Sequence, residues 1–139
     1  LEDIDLSGID LFDIDLSEAN LKCVNLRDAH LNLVNLRGAD LTGANLRFAD
    51  LRESVLDVAV LVGAVLSNAD LSHVSAIGAN FSGAYLSEAI MVAGDFKDAV
   101  FEGADLGLAD ARKADFTGST LTAAMINEHD IVVDVETIL

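Results

Sequence analysis

Large apolar residues return at every fifth position along this chain, with no insertion or deletion. Gly38 to Leu56 reads GADLTGANLRFADLRESVL, and Gly78 to Ala89 keeps the same beat as GANFSGAYLSEA. With Leu1 as the first centre, 26 centres run to Ile126; Leu fills 18 of them, and Phe81, Phe96, Phe101 and Phe116 fill four. Two residues before each centre the chain is small, with Ala at 16 of 25 such slots. One residue before the centre, Asp or Asn takes 15 of 25 slots.

A period of five suits neither regular element. In an α-helix five residues turn through about 500°, which scatters the leucines round the cylinder. In a long strand they alternate faces. Repetition at a fixed period points instead to a solenoid whose units stack on their neighbours. The small slot and the centre are two apart, so in an extended backbone both face inward and the intervening Asp or Asn faces out. Two further residues turn the chain. Glycine recurs at the second turn position, where it suits a positive φ. On a coil of 20 residues, Gly43, Gly63, Gly83 and Gly103 share one column and Gly38, Gly78 and Gly118 another, which favours four units per coil. Phe81 then stacks on Phe101, Phe96 stacks on Phe116, and Ala76 lies beside Phe96 and balances its volume.

The run ADLTGANLRFADLRE, of form Ala-(Asp/Asn)-Leu-x-x, resembles the pentapeptide-repeat family. The resemblance covers Leu1 to about Ile126. It implies an all-β fold, a right-handed, four-sided parallel β-helix in a single domain, with about seven coils stacked at about 4.8 Å. Residues 1–126 form the repeat body. Side chains fill such a rod, which leaves no evident place for a substrate pocket. Some members of the family bind DNA gyrase in place of DNA, so the resemblance also implies an alternative function as a DNA mimic. The quinolone-resistance members are richer in Phe centres and in polar or Cys small slots. This chain is of the Ala/Leu type found in cyanobacterial and other bacterial members.

Composition narrows the function. Net charge is −16, from 24 acids against 8 bases, which argues against direct nucleic-acid binding and against an anionic membrane. It permits a basic protein partner, and it keeps a Leu- and Ala-rich chain soluble. The bases Lys22, Arg27, Arg37, Arg47 and Arg52 lie early and interrupt the negative field; none occurs between Glu53 and Phe96. The longest stretch without a charged residue, Leu71 to Ser87, holds His73, Asn80 and several serines, short of the roughly 18 apolar residues of a membrane span. No signal peptide is visible, and the beat is already under way at Leu1, so the sequence reads as part of a longer chain. Cys23 is the single cysteine, which leans toward the cytoplasm.

No catalytic constellation is expected. His30, His73 and His129 fall on different columns and have no metal-ligand spacing. Cys23 has no histidine placed to activate it. The chain reads as a non-enzyme with no cofactor and no metal.

Two surface features are candidates. On a 20-residue coil Asp50 lies beside Asp70, Asp95 beside Asp115, and Asp110 beside Asp130. These acidic columns serve the mimic reading, since about 33 Å of duplex carries on the order of 20 phosphate charges. They are equally read as Asx turns, each side chain bonding nearby turn amides. The second feature is VLDVAVLVGAVL, residues 55–66, where Val55, Val60 and Val65 replace Asp or Asn and Val58 and Val62 take turn positions. Tyr85 follows Val65 in its column. A contiguous apolar patch of this kind reads as a surface for a protein partner or as a contact with a flanking segment, and equally as ordinary drift in a repeat that tolerates it. After Ile126 the pattern decays in NEHDIVVDVETIL, with His129 in a small slot and Glu136 in a centre slot. Residues 127–139 read as a C-terminal cap or as a tail pairing two copies into a homodimer, and both stay open.

Overall fold

The computed structural model describes residues 4–139; Leu1, the first expected centre, lies outside them. Each outward slot forms a parallel bridge to the slot 20 residues further on, from Asp5 with Asn25 to Asp95 with Asp115. One coil therefore consumes four five-residue units, and the fold is a parallel β-helix.

The backbone explains the period. From Leu6 to Phe96 the N–H of the centre donates to a carbonyl of the coil above: Leu6 to that of Asn25 at 2.7 Å, Leu46 to that of Val65 at 2.7 Å. The outward residue donates to the coil below, as Asn25 does to the Ile4 carbonyl at 2.9 Å. Between these bonds the chain turns through a corner, closed by the small residue's N–H on the preceding centre's carbonyl, as in Ala49 to Leu46 at 3.1 Å. From Gly8 to Gly118 the second corner residue takes a positive φ in every unit, whether glycine or not; Phe48 stands at 58° and Val58 at 52°.

The small residues and centres form one continuous core from Leu21 to Phe116. Leu46, Leu66 and Leu86, one column, are fully buried. Phe81 stacks on Phe101 with ring centroids 5.1 Å apart and planes within 2°, and Phe96 on Phe116 at 5.2 Å. Edge contacts of 5.8–6.1 Å knit the two columns into one aromatic cluster. Against the edge of this cluster the small slot shrinks to Gly94, where a Cβ would stand 2.5 Å from Phe96 Cε2. Ser54 is the one buried polar side chain among the described residues, and its hydroxyl has no hydrogen-bond partner. In the first described coil Ile4 and Ile14 are exposed.

At the other end the coil geometry gives way to helix α1, Ala123–Glu128. Thr122 caps it, its Oγ1 accepting from Met125 N at 3.3 Å. Ile126, Leu121 and Ile131 are buried over the last regular coil. Beyond α1 the chain returns to parallel pairing, but Asp110 meets Val132 and Asp115 meets Ile138. The offsets have grown from 20 to 22 and 23, because a helix advances only about 1.5 Å per residue and takes up more chain in one corner. His129 and Glu136 therefore do not face the core. His129 caps α1, 3.8 Å from Asp105, and Glu136 is exposed and pairs with Lys113 at 3.3 Å.

Candidate functional site

Every unit offers three outward residues, the Asp/Asn slot and the two corner residues, and stacking lines them up in columns 20 residues apart. The valines occupy five different columns. Val55 is bridged to Asn35 and Ser75, Val60 to Asp40 and Asn80, Val65 to Asn45 and Tyr85. Val58 and Val62 sit at the corners between them. The five valines are thus a belt around half of one coil, bent across two corners, and no two stack. A flat partner reaches only part of it. Val58 is 51% exposed and the other four are half-buried. Tyr85 stands directly on Val65 and is 52% exposed.

The acidic columns are partly as expected. Asp50 and Asp70 are bridged neighbours, and so are Asp95 and Asp115. Asp110 and Asp130 are not, since the extra residues in α1 bring Val132 to Asp110 instead.

These carboxylates are not bare. Arg52 meets Asp50 at 2.6 Å and Asp70 at 3.8 Å, Lys97 meets Asp95 at 3.0 Å and Asp115 at 3.1 Å, and Arg112 meets Asp110 at 2.6 Å. Hydrogen bonds from Arg52 hold the Asp50 carboxyl below its ordinary range, and Arg112 does the same for Asp110. The two aspartates round Lys97 push its ammonium upward. The missed signal is the spacing Asp-x-(Arg/Lys), present at Asp50–Arg52, Asp95–Lys97 and Asp110–Arg112, which returns a base to the carboxylate's own side of an extended backbone.

The Asp and Asn side chains also serve the fold. Their Oδ1 accepts the N–H two residues on, as in Asp15 with Ser17 at 2.9 Å, Asp70 with Ser72 at 3.0 Å and Asn80 with Ser82 at 2.9 Å. This Asx turn tethers each outward residue to its own corner.

Among the described residues there is no cavity, and no group of three His, Cys, Asp or Glu side chains is placed to hold a metal ion. Cys23 is an exposed free thiol. Among them, no helix is long and apolar enough to cross a membrane.

The family described as pentapeptide repeats matches in eight copies, over residues 1–38, 19–57, 56–91, 64–101 and 95–128. HetL of the cyanobacterium Nostoc sp. strain PCC 7120, a pentapeptide repeat protein involved in heterocyst differentiation regulation, superposes with a TM-score of 0.62 at 23% identity, over 99% of this chain and 73% of that one. That likeness carries the fold. A pentapeptide repeat protein of the Arabidopsis thaliana thylakoid lumen matches at TM-score 0.37 and 24% identity, over 93% of this chain and 81% of its own. QnrB1, a plasmid-mediated fluoroquinolone resistance protein, matches at TM-score 0.38 and 19% identity, over 94% and 80%. The last two superpositions are too loose to carry an argument. The comparison with curated proteins found no match.

Proposed function

The chain belongs to the pentapeptide-repeat family, and on that premise we propose that it is a non-enzymatic module binding protein partners through its outer columns. The reading takes the rod as right-handed and four-sided, of about seven coils at about 4.8 Å each. Residues 1–126 are its body, and 127–139 its cap, whose exposed Val133, Val135 and Leu139 also offer a second copy a contact.

One observation carries the reading. Val58 is β-branched, yet it is held at φ 52° and is half exposed. A left-handed backbone costs an L-residue roughly 1–2 kcal/mol, and glycine avoids that cost. Glycine holds the corners directly above and below it in the column, Gly38 and Gly78. The coil imposes that φ at each corner, so what sets Val58 apart is a β-branched, exposed apolar side chain there with four more valines beside it, and such a run of apolar surface suits a partner.

The experiment is affinity capture with the wild type, Val58→Asn and Val60→Asp, each checked for an unchanged fold. A partner held by the wild type and lost from both variants supports the belt; identical captured sets remove it. Homodimerisation through the tail predicts a sedimentation mass that halves when Val135 and Leu139 become Asp.

The DNA-mimic reading draws on the net charge of −16, but Arg52, Lys97 and Arg112 neutralise much of the acidic columns it needs. A gyrase supercoiling assay with no effect at high micromolar protein removes it.

A further inference from the structure

Acids outnumber bases 24 to 8, and seven of the eight bases meet a carboxylate at between 2.6 and 3.3 Å. The eighth, Arg47, makes no ion pair among the described residues. Its guanidinium lies over the ring of Phe48, 5.6 Å from the centroid. Arg27, one coil below in the same column, covers the same ring at 4.9 Å. Two guanidinium groups thus contact one aromatic ring that is itself 42% exposed, and only that of Arg27 also has an acid, Asp28. In so acidic a chain, a cation with no acid of its own is the exception to be explained.

The surroundings form a platform. Beside the arginines run Asn25 and Asn45, whose amides are locked in a ladder: Asn45 Nδ2 donates to Asn25 Oδ1 at 3.0 Å, and Asn25 Nδ2 to Asp5 Oδ1 at 2.8 Å. The same column continues upward as Val65 and then Tyr85. Its far flank is the corner formed by Val62 and Gly63 and, one coil on, by Ser82 and Gly83, where the glycine positions have nothing within 4 Å of a Cβ position. Positive φ does not demand glycine there, because Phe48, Val58 and Glu88 adopt it at other corners. The glycines leave open space at their own positions on that flank.

We propose that this face docks an extended acidic segment of a protein partner. A carboxylate of the segment pairs with Arg47, while Arg27 keeps its bond to Asp28 at 3.0 Å, and a large apolar side chain lies on Val65 and Tyr85. Arg and Tyr are the residue types that concentrate binding energy at interfaces. The level of Arg47 lies one coil below Val65 and two below Tyr85, about 5 and 10 Å, and an extended peptide rises about 3.3 Å per residue. The acidic and apolar residues of the segment therefore stand two or three positions apart. The inference rests on the protein-binding reading and gives that partner its chemistry, opposite in sign to the basic surface that a DNA mimic would meet.

The probe is a random dodecapeptide library displayed on phage and selected against the full chain. Selected sequences are expected to carry Asp or Glu two or three residues from Leu, Ile, Phe or Met. Binding of the corresponding synthetic peptides, followed by fluorescence anisotropy, falls at least tenfold in Arg47→Glu and in Tyr85→Ala and is unchanged in Arg112→Gln. Circular dichroism and thermal melts verify that all three fold. Enrichment of Lys- or Arg-rich peptides overturns the proposal while leaving protein binding itself in place. Equal binding by Arg47→Glu, no enrichment, or self-association abolished by Arg47→Glu, which makes a second copy the occupant, also overturns it. The broader reading stands or falls separately, on the captured partner.

Discussion

Asp95 and Asp115 stand one coil apart and share a single ammonium, that of Lys97, at 3.0 and 3.1 Å. Without it, two partly buried carboxylates would face each other across about 4.8 Å. Lys97→Met is therefore expected to lower the melting temperature by a few degrees at neutral pH. The loss shrinks in 1 M salt, where the screening length falls to about 3 Å. Adding Asp95→Asn restores it. A melting temperature that is unchanged and indifferent to salt would show that the pair tolerates its repulsion unaided.

The aromatic cluster sets a sharper steric test. Nearly every small slot takes Ala without difficulty, but Gly94 lies against the edge of Phe96. Gly94→Ala is expected to destabilise by about 1–3 kcal/mol, the usual cost of overpacking. In Gly94→Ala with Phe96→Leu most of that cost disappears, because the shorter side chain leaves room. Urea denaturation of the two single variants and the double variant measures the coupling, and simple additivity would refute the contact.

Legibility in the sequence followed locality. The burial of Leu46, Leu66 and Leu86 in one column needs only the period of five, and the pairing of Phe81 with Phe101 needs only the coil length, so both were readable. The neutralisation of Asp70 and Asp115 was not, because Arg52 and Lys97 reach across coils with flexible side chains. The valines read as one patch because they are adjacent in sequence, whereas two corners separate them in space. The arginine face was invisible for the converse reason: Arg27 and Arg47, like Val65 and Tyr85, are adjacent only across coils. The tail escaped because six helical residues in α1 reset the register, and no five-residue template contains that shift.

Val58 should trade stability against binding. Val58→Asn keeps the corner but suits a left-handed φ better, so the free protein is expected to gain about 1 kcal/mol. The same change removes apolar surface from the belt and weakens partner capture. Stabilisation with undiminished capture would mean that the valine is an unselected accident of the repeat.

Acid is expected to loosen the rod, with a definite sign. Turn amides and hydroxyls hold Asp5, Asp15, Asp40 and Asp115 below their ordinary value of 3.8, and arginines do so for Asp50 and Asp110. A carboxylate with a folded value below its unfolded one contributes stability that is present above the unfolded value and lost as pH falls toward the folded one. The urea midpoint should thus vary little between about pH 8 and 5 and fall below about pH 4. A midpoint that rises below pH 4 would mean that relief of the net repulsion of −16 outweighs the Asx turns.

Ser54 tests the core from the opposite direction. Its hydroxyl is buried without a partner, while the residues above and below it in the column are Val74 and Val34, both fully enclosed. A buried hydroxyl left unpaired costs about 1–3 kcal/mol in proteins. Valine fills the same slot one coil away on either side, so Ser54→Val should enter without strain and stabilise by about 1–2 kcal/mol. The gain should appear in the urea midpoint with an unchanged m-value, since the surface exposed on unfolding hardly alters. A loss instead would mean that the hydroxyl is satisfied after all, or that the column does not admit three valines in succession.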